Sequence, residues 1–273
     1  MDSKRRNFLK VAGLTAIAGI GAPSAFNMLL KGEALASSGG GGHGAAAEAV
    51  TGKRWGMVID VKKFAENPDL AQQCITACHS IHNVPDFGNR KDEIKWLWVE
   101  KFENAFPADS QYKRPDALHE MPIMTLCNHC DKPPCVRACP TKATYRTKDG
   151  IVAMDYHRCI GCRFCMAACP YGARSFNWRD PRGKDENGNP FIKNENPKFP
   201  TRMRGVVEKC NFCVERLAIG QIPACVETAA ETKALVFGDL NDPNSEVSQV
   251  LKSTFTIQRN PAIGTYPSLF YII

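Results

Sequence analysis

Three short apolar runs dominate the pattern of hydrophobic and polar positions along this chain. "GMVIDVKKF" (56–64) and "GIVAMDYHRC" (150–159) each read as a short strand running into an aspartate. "EIKWLWVEKF" (93–102), within a longer insertion over 85–119, alternates and reads as a third strand. Between and around them the pattern breaks down. Residues 37–53, rich in glycine and alanine, have no apolar period and read as a flexible linker. Residues 178–204, rich in Asn, Pro, Gly and charge, read as a surface loop insertion open to partners. The apolar run at 11–30 is broken by Gly19, Gly21 and Pro23, which makes it a poor membrane span, and no other stretch reaches spanning length.

What flanks that run gives it a meaning. "KRRNFLK" (4–10) precedes it with paired arginines, and "ALA" (34–36) offers a small-x-small cleavage site before Ser37. Residues 1–36 therefore read as a twin-arginine (Tat) export signal, the alternative being an anchor that stays uncleaved. This route carries folded proteins. It suits a protein that acquires a cofactor before it reaches the extracytoplasmic (periplasmic) side of the membrane.

Composition then narrows the chemistry. Thirteen cysteines in 273 residues exceed what ordinary packing uses. They imply disulfides, structural zinc or iron–sulfur clusters. They fall into four blocks: "CITAC" (74–78), "CNHCDKPPCVRACP" (127–140), "CIGCRFCMAACP" (159–170) and "CNFCVERLAIGQIPAC" (210–225). The formal charge of +7 has no basic-aromatic stripe, which argues against nucleic acid. Loss of the leader removes five basic and two acidic residues, leaving +4. Three clusters at roughly −2 each would make the loaded protein slightly negative.

Two-cluster bacterial ferredoxins use C-x2-C-x2-C-x3-C-P, in which the fourth cysteine serves the other cluster. Block three matches in full, and block two matches with a widened second gap. Block four has the triad but carries Ala229 where the fourth cysteine belongs. Block one retains only Cys74 and Cys78, and when Asp60 is aligned with Asp155, Phe64 stands where Cys159 stands. Pairing the blocks in order breaks two sites and strands Cys139. Nested pairing, two with three and one with four, confines every defect to one absent site. It gives Cys127, Cys130, Cys135 with Cys169; Cys159, Cys162, Cys165 with Cys139; and Cys210, Cys213, Cys225 with Cys78. Cys74 is then a buried free thiol and not a ligand.

Competing chemistries fit less well. Zinc accepts C-x2-C pairs but does not explain two C-x3-C-P endings, and disulfides would need export of an unfolded chain. A Rieske centre needs two histidines on one iron, and "CITACH" has one residue too many for haem attachment. His79, His82 and His129 are expected to be structural hydrogen-bonders. Lys209, Arg158, Arg163 and Arg216 flank ligands, where they would either raise a cluster's potential or simply be solvated. Nothing resembles a Ser-His-Asp set, paired catalytic carboxylates or a phosphate-binding glycine loop, so no independent catalytic site is expected.

From about Trp55 onward the chain resembles the four-cluster ferredoxin-like subunits of molybdopterin and NrfD-type membrane oxidoreductases. "GVVEKCNFC" (205–213) and "FGDLNDPNSEV" (237–247) carry that likeness together with the cysteine blocks. "CITACHSIHNVPDF" (74–87) and the Tat signal point more narrowly to the DsrO type, from the Dsr complexes of sulfate reducers. The resemblance implies an α+β fold of two fused ferredoxin-like halves related by a pseudo-twofold. One half would comprise 54–126 with 205–273, and the other 127–177. It also implies a hetero-oligomer with an NrfD-like (DsrP-type) quinone-interacting membrane subunit, a multihaem cytochrome c (DsrJ-type) and other Dsr subunits. The expected role is electron transfer through three [4Fe–4S] clusters, linking menaquinone and cytochrome c to sulfite metabolism. A polysulfide- or tetrathionate-type molybdopterin reductase subunit and a zinc-stapled assembly protein are the alternatives. The gaps at Phe64 and Ala229 depart from the four-cluster pattern, and they weigh against a molybdenum partner.

Overall fold

The computed structural model describes residues 52–107 and 120–273. The export signal and nearly all of the linker lie outside the described residues. Among the described residues no helix is long and apolar enough to cross a membrane.

The predicted strands form where the apolar runs stand. β1 (Trp55–Asp60) is almost continuously buried, because it is central in a three-stranded sheet. It pairs antiparallel with β8 (Leu235–Asp239) on one side and parallel with β9 (Leu269–Ile272) on the other. β2 (Leu97–Lys101) comes from the tryptophan-rich run and pairs with β3 (Pro122–Leu126). β4 (Thr144–Arg146) pairs with β5 (Val152–Met154), and β6 (Ser175–Phe176) with β7 (Val207–Glu208). The strand leaving each cysteine block thus pairs with the strand entering the next, and β8 closes the circuit on β1. This closure brings block four to block one across the length of the sequence.

Helices tighten the same arrangement. α1 (Val61–Glu66) is followed by α2 (Leu70–Ile81), which carries Cys74 and Cys78. The short helices are α3 (Phe102–Ala105), α4 (Pro134–Arg137), α5 (Phe164–Ala167), α6 (Val214–Leu217) and α7 (Ala224–Thr228). α8 (Glu246–Ser253) is capped by Ser245, whose hydroxyl accepts from the Ser248 N–H at 3.2 Å. α2 packs on α7, and α4 packs on α5, so blocks one and four are neighbours, as are two and three.

Asp60 and Asp155 do matching work at first. Asp155 accepts from the His157 and Arg158 N–H groups at 2.9 and 3.3 Å, and Asp60 accepts from the Lys63 N–H at 3.3 Å. Beyond that point the two copies diverge: Asp60 caps a helix that buries Phe64, whereas the backbone after Asp155 enters the Cys159 loop.

The stretch 178–204 differs from the surface loop expected of its composition. It has no helix or strand, yet Phe191, Phe199 and Arg202 point into the core. Arg202 forms a fully buried ion pair with Glu208 at 2.6 Å, and its ring neighbours include Trp96 and Phe199. Glu208 also accepts from Trp96 Nε1–H at 2.9 Å and from Asn177. Polar composition hid this anchor, in which the Arg202–Glu208 pair is buried together with Phe191 and Phe199.

Candidate metal-cluster sites

Twelve of the thirteen thiols converge in three groups of four. Cys127, Cys130, Cys135 and Cys169 line a small cavity, together with Pro170, Tyr171 and Arg174. Cys139, Cys159, Cys162 and Cys165 line a second. In the third group Cys78 lies among Cys210, Cys213 and Cys225, which act on it as like charges. None of the thirteen is in a disulfide. The first group lies between the others: Cys127 acts electrostatically on Cys210 of the third, and Cys135 on Cys165 of the second.

The local backbone explains why these spacings recur. In blocks two, three and four the residue before the second cysteine has a left-handed φ: 41° at His129, 69° at Gly161 and 55° at Phe212. That curl turns amide N–H groups inward toward sulfur, as the Phe212 N–H does toward Cys210 Sγ at 3.5 Å. Only the middle position demands glycine, since a Cβ on Gly161 would come within 2.3 Å of the Gly205 carbonyl oxygen. After the fourth cysteine the Cys-Pro turn repeats the device. N–H groups of Thr141 and Ala143 bond Cys139, and those of Tyr171 and Ala173 bond Cys169. Each turn passes through a left-handed residue, Lys142 or Gly172, into a buried alanine. The late copy keeps this trace at Lys233 and Ala234 although Ala229 carries no sulfur.

Electrostatics say what the groups can hold. Burial, then the charges of Cys210, Cys225, Cys213 and Glu215, push the Cys78 thiol well above its ordinary value. Burial likewise pushes Cys130 up to about 12, with Cys127 adding to it. At Cys139 burial opposes ionisation, but the turn's N–H groups and the Thr141 hydroxyl prevail and hold the thiol low. Four converging buried thiolates repel one another unless cations lie between them. The donor set is all sulfur, it converges, and amides point at it, which fits an iron–sulfur cluster at each place.

Cys74 borders the third group, where it acts as a like charge on Cys225 but not on Cys78. It is fully buried on α2, its Sγ donates to the Cys225 carbonyl at 3.4 Å, and burial raises it to about 12. The histidines are hydrogen-bonded or stacked. His82 engages the Cys78 carbonyl through Nδ1 at 2.7 Å and Glu215 through Nε2 at 2.8 Å. His82, Cys213 and Glu215 converge within 4.8 Å, at the edge of the third group. His129 accepts from the Val152 N–H at 3.1 Å and stacks on Phe212, with centroids 3.7 Å apart. This stack joins the Cys127–Cys130 loop to the Cys210–Cys213 loop. His79 bonds the Leu97 backbone near His82, and burial above all lowers it to about 4.

Among the four flanking cations, three have surface partners. Arg158 pairs with Asp155, Arg216 with Glu227, and Arg163 lies over Phe176 and Trp178. Lys209 is different: it is buried, and its Nζ donates to the carbonyls of Val152 and Cys210. Sequence reasoning missed Arg174, Tyr171 and Thr265, which all border the first group. One signal marked Arg174. It follows the buried alanine of its block, where the other copies carry Thr144 and Leu235.

Comparison with known proteins agrees with this geometry. The 4Fe-4S dicluster domain family matches residues 121–184, which hold blocks two and three. The chain is 40% identical over 237 residues to the Hdr-like menaquinol oxidoreductase iron-sulfur subunit 1 of Archaeoglobus fulgidus, covering 80% of this chain and 83% of that one. It is 35% identical to the menaquinone reductase iron-sulfur cluster-binding subunit of Nitratidesulfovibrio vulgaris, covering 80% and 88%. It is 36% identical to a subunit of the polysulfide reductase of Wolinella succinogenes, with 81% and 94% covered. The protein belongs to this family of oxidoreductase iron–sulfur subunits.

Proposed function

We propose that the protein is an exported electron-transfer subunit with three [4Fe–4S] clusters and no substrate site of its own. Cys127, Cys130, Cys135 and Cys169 hold one; Cys159, Cys162, Cys165 and Cys139 the next; Cys210, Cys213, Cys225 and Cys78 the last. The observation that carries this reading is that each gathered foursome draws its fourth thiol from a different block. The packing of α2 on α7 and of α4 on α5 supports nested ferredoxin-like halves.

Bound clusters supply one-electron carriage, and the protein supplies their spacing and shielding. Burial of most ligand sulfurs excludes water, while inward N–H groups and positive side chains favour the more negative, reduced state. The first set, between the other two, gives electrons a linear order. The likeness to the menaquinol and menaquinone enzymes supports a quinone-linked membrane complex, and the twin-arginine leader is what places it on the extracytoplasmic side in this reading. Within it a DsrO-type role beside a DsrP-type membrane subunit and a multihaem cytochrome is the narrower reading, connecting menaquinone to sulfite metabolism. The likeness to the polysulfide reductase subunit favours a second reading, the iron–sulfur subunit of a molybdopterin reductase.

Metal analysis of anaerobically purified protein tests the first proposal. About twelve irons per chain, with broad absorption near roughly 400 nm, are expected. Stoichiometric zinc without that absorption overturns it, and about sixteen irons would reveal a fourth site with non-cysteine ligands. Co-purification of a molybdenum subunit decides for the second reading.

A further inference from the structure

Arg174 is a buried cation that faces the first and second thiol groups at once. Its side chain lines the cavity of Cys127, Cys130, Cys135 and Cys169. Its Nη1 donates to Thr144 Oγ1 at 3.2 Å and to Met154 Sδ at 3.1 Å. Thr144 and Met154 line the other cavity, that of Cys139, Cys159, Cys162 and Cys165. The guanidinium therefore stands in the wall between them. Arg174 is 5% exposed, its Nη2 has no hydrogen-bond partner, and no carboxylate pairs with it among the described residues.

A charge so placed is costly unless something compensates it. Arg202, equally buried, has Glu208, and Lys209 has two carbonyls. Arg174 has only a hydroxyl, a thioether and the surrounding sulfurs.

We infer that Arg174 is the shared counter-cation of the first and second cluster sites, setting both potentials above what the same ligands would give without it. This rests on the proposed three-cluster reading. Each electron a site accepts adds one negative charge beside the guanidinium, which keeps its proton and transfers no atom. The electron comes from the subunit's redox partner, or from dithionite in a titration. A fixed cation in a water-poor wall favours the reduced form of both neighbours. The third group, on the far side of the first, does not share it.

Redox titrations of the full, cluster-loaded protein followed by electron paramagnetic resonance test this, with iron content measured on every sample. Wild type with about twelve irons and three reducible centres establishes the underlying reading, and any other count overturns that reading first. In Arg174→Gln, two of the three couples should fall, each by about tenfold in its reduction equilibrium, about 59 mV for one electron. Arg174→Lys should leave both near their wild-type values. No shift in Arg174→Gln, or an equal shift of all three couples, overturns the inference. If Arg174→Gln loses iron, retention in Arg174→Lys upholds the charge role, and equal loss in both variants overturns it in favour of a role in shape alone.

Discussion

Removing the Cys78 sulfur separates the proposed ligand sets most sharply. Cys78 lies on α2, while the three thiols around it, Cys210, Cys213 and Cys225, come from 132 or more residues later. Those three are only 8%, 4% and 6% exposed, so water cannot easily replace the lost ligand. Cys78→Ala should lower iron from about twelve to about eight per chain and remove one of three paramagnetic centres. Cys74→Ala is the matched control, one helical turn away on the same face. Its sulfur is equally buried but contacts only the Cys225 carbonyl among hydrogen-bond acceptors, at 3.4 Å. Truncating it should cost about 1 kcal/mol through a small cavity and a weak bond, with iron unchanged. Cys139→Ala completes the set. Nested pairing predicts the loss of about four irons there, whereas pairing in sequence order leaves Cys139 without a cluster and predicts none. The measurements are iron and sulfide per chain after anaerobic reconstitution, and chemical denaturation for the Cys74 variant. Equal iron loss in the Cys74 and Cys78 variants, or full iron in Cys139→Ala, would refute the assignment.

The remaining predictions concern the frame around the thiols. Glu208→Gln leaves the fully buried Arg202 without its counter-charge and should cost about 3–5 kcal/mol, read as a lowered denaturant midpoint. Gly161→Ala drives a methyl group onto the Gly205 carbonyl at 2.3 Å, in a left-handed turn besides. The loop should open, with selective loss of about four irons from the Cys159 site by metal analysis. Phe212→Leu abolishes the stack on His129 and should cost about 0.5–1.5 kcal/mol beyond the lost apolar area, with iron content retained.

The iron–sulfur reading was legible because such clusters favour closely spaced cysteines in a local loop. The C-x2-C-x2-C run of Cys159, Cys162 and Cys165 is the spacing that pointed to it. The aspartates that align blocks one and three were legible too, since each caps the backbone that follows it. What escaped was non-local. Nothing along 178–204 announces that Arg202 will meet Glu208 in the core, because both residue types are normally solvated. Lys209 was expected among the flanking cations, but its burial depends on a carbonyl of Val152, which a different block provides. Thr265, beside the first thiol group, belongs to a C-terminal stretch with no periodic signal. Strand pairing was likewise hidden: β6 and β7 are two residues each, and their partnership is set by what lies on either side.

The defect shared by Phe64 and Ala229 has a structural logic that one restored cysteine would not reverse. In block three the backbone after Asp155 curls through Gly161, at a left-handed φ of 69°. In block one the backbone after Asp60 enters α1, and the Lys63 N–H is taken up by the Asp60 side chain. Phe64 is 5% exposed and Ala229 fully buried, and both belong to the apolar core that also takes in Cys74, Val61 and Leu70. Hydrocarbon thus stands where the repeat would place a cube. An Ala229→Cys substitution would add a sulfur to a fully buried, packed position. Two local structures, a helix and a packed core, would have to be undone together before four ligands could meet there. On the proposed reading, the wire therefore ends at the Cys78 site by virtue of its fold and not merely for want of one ligand.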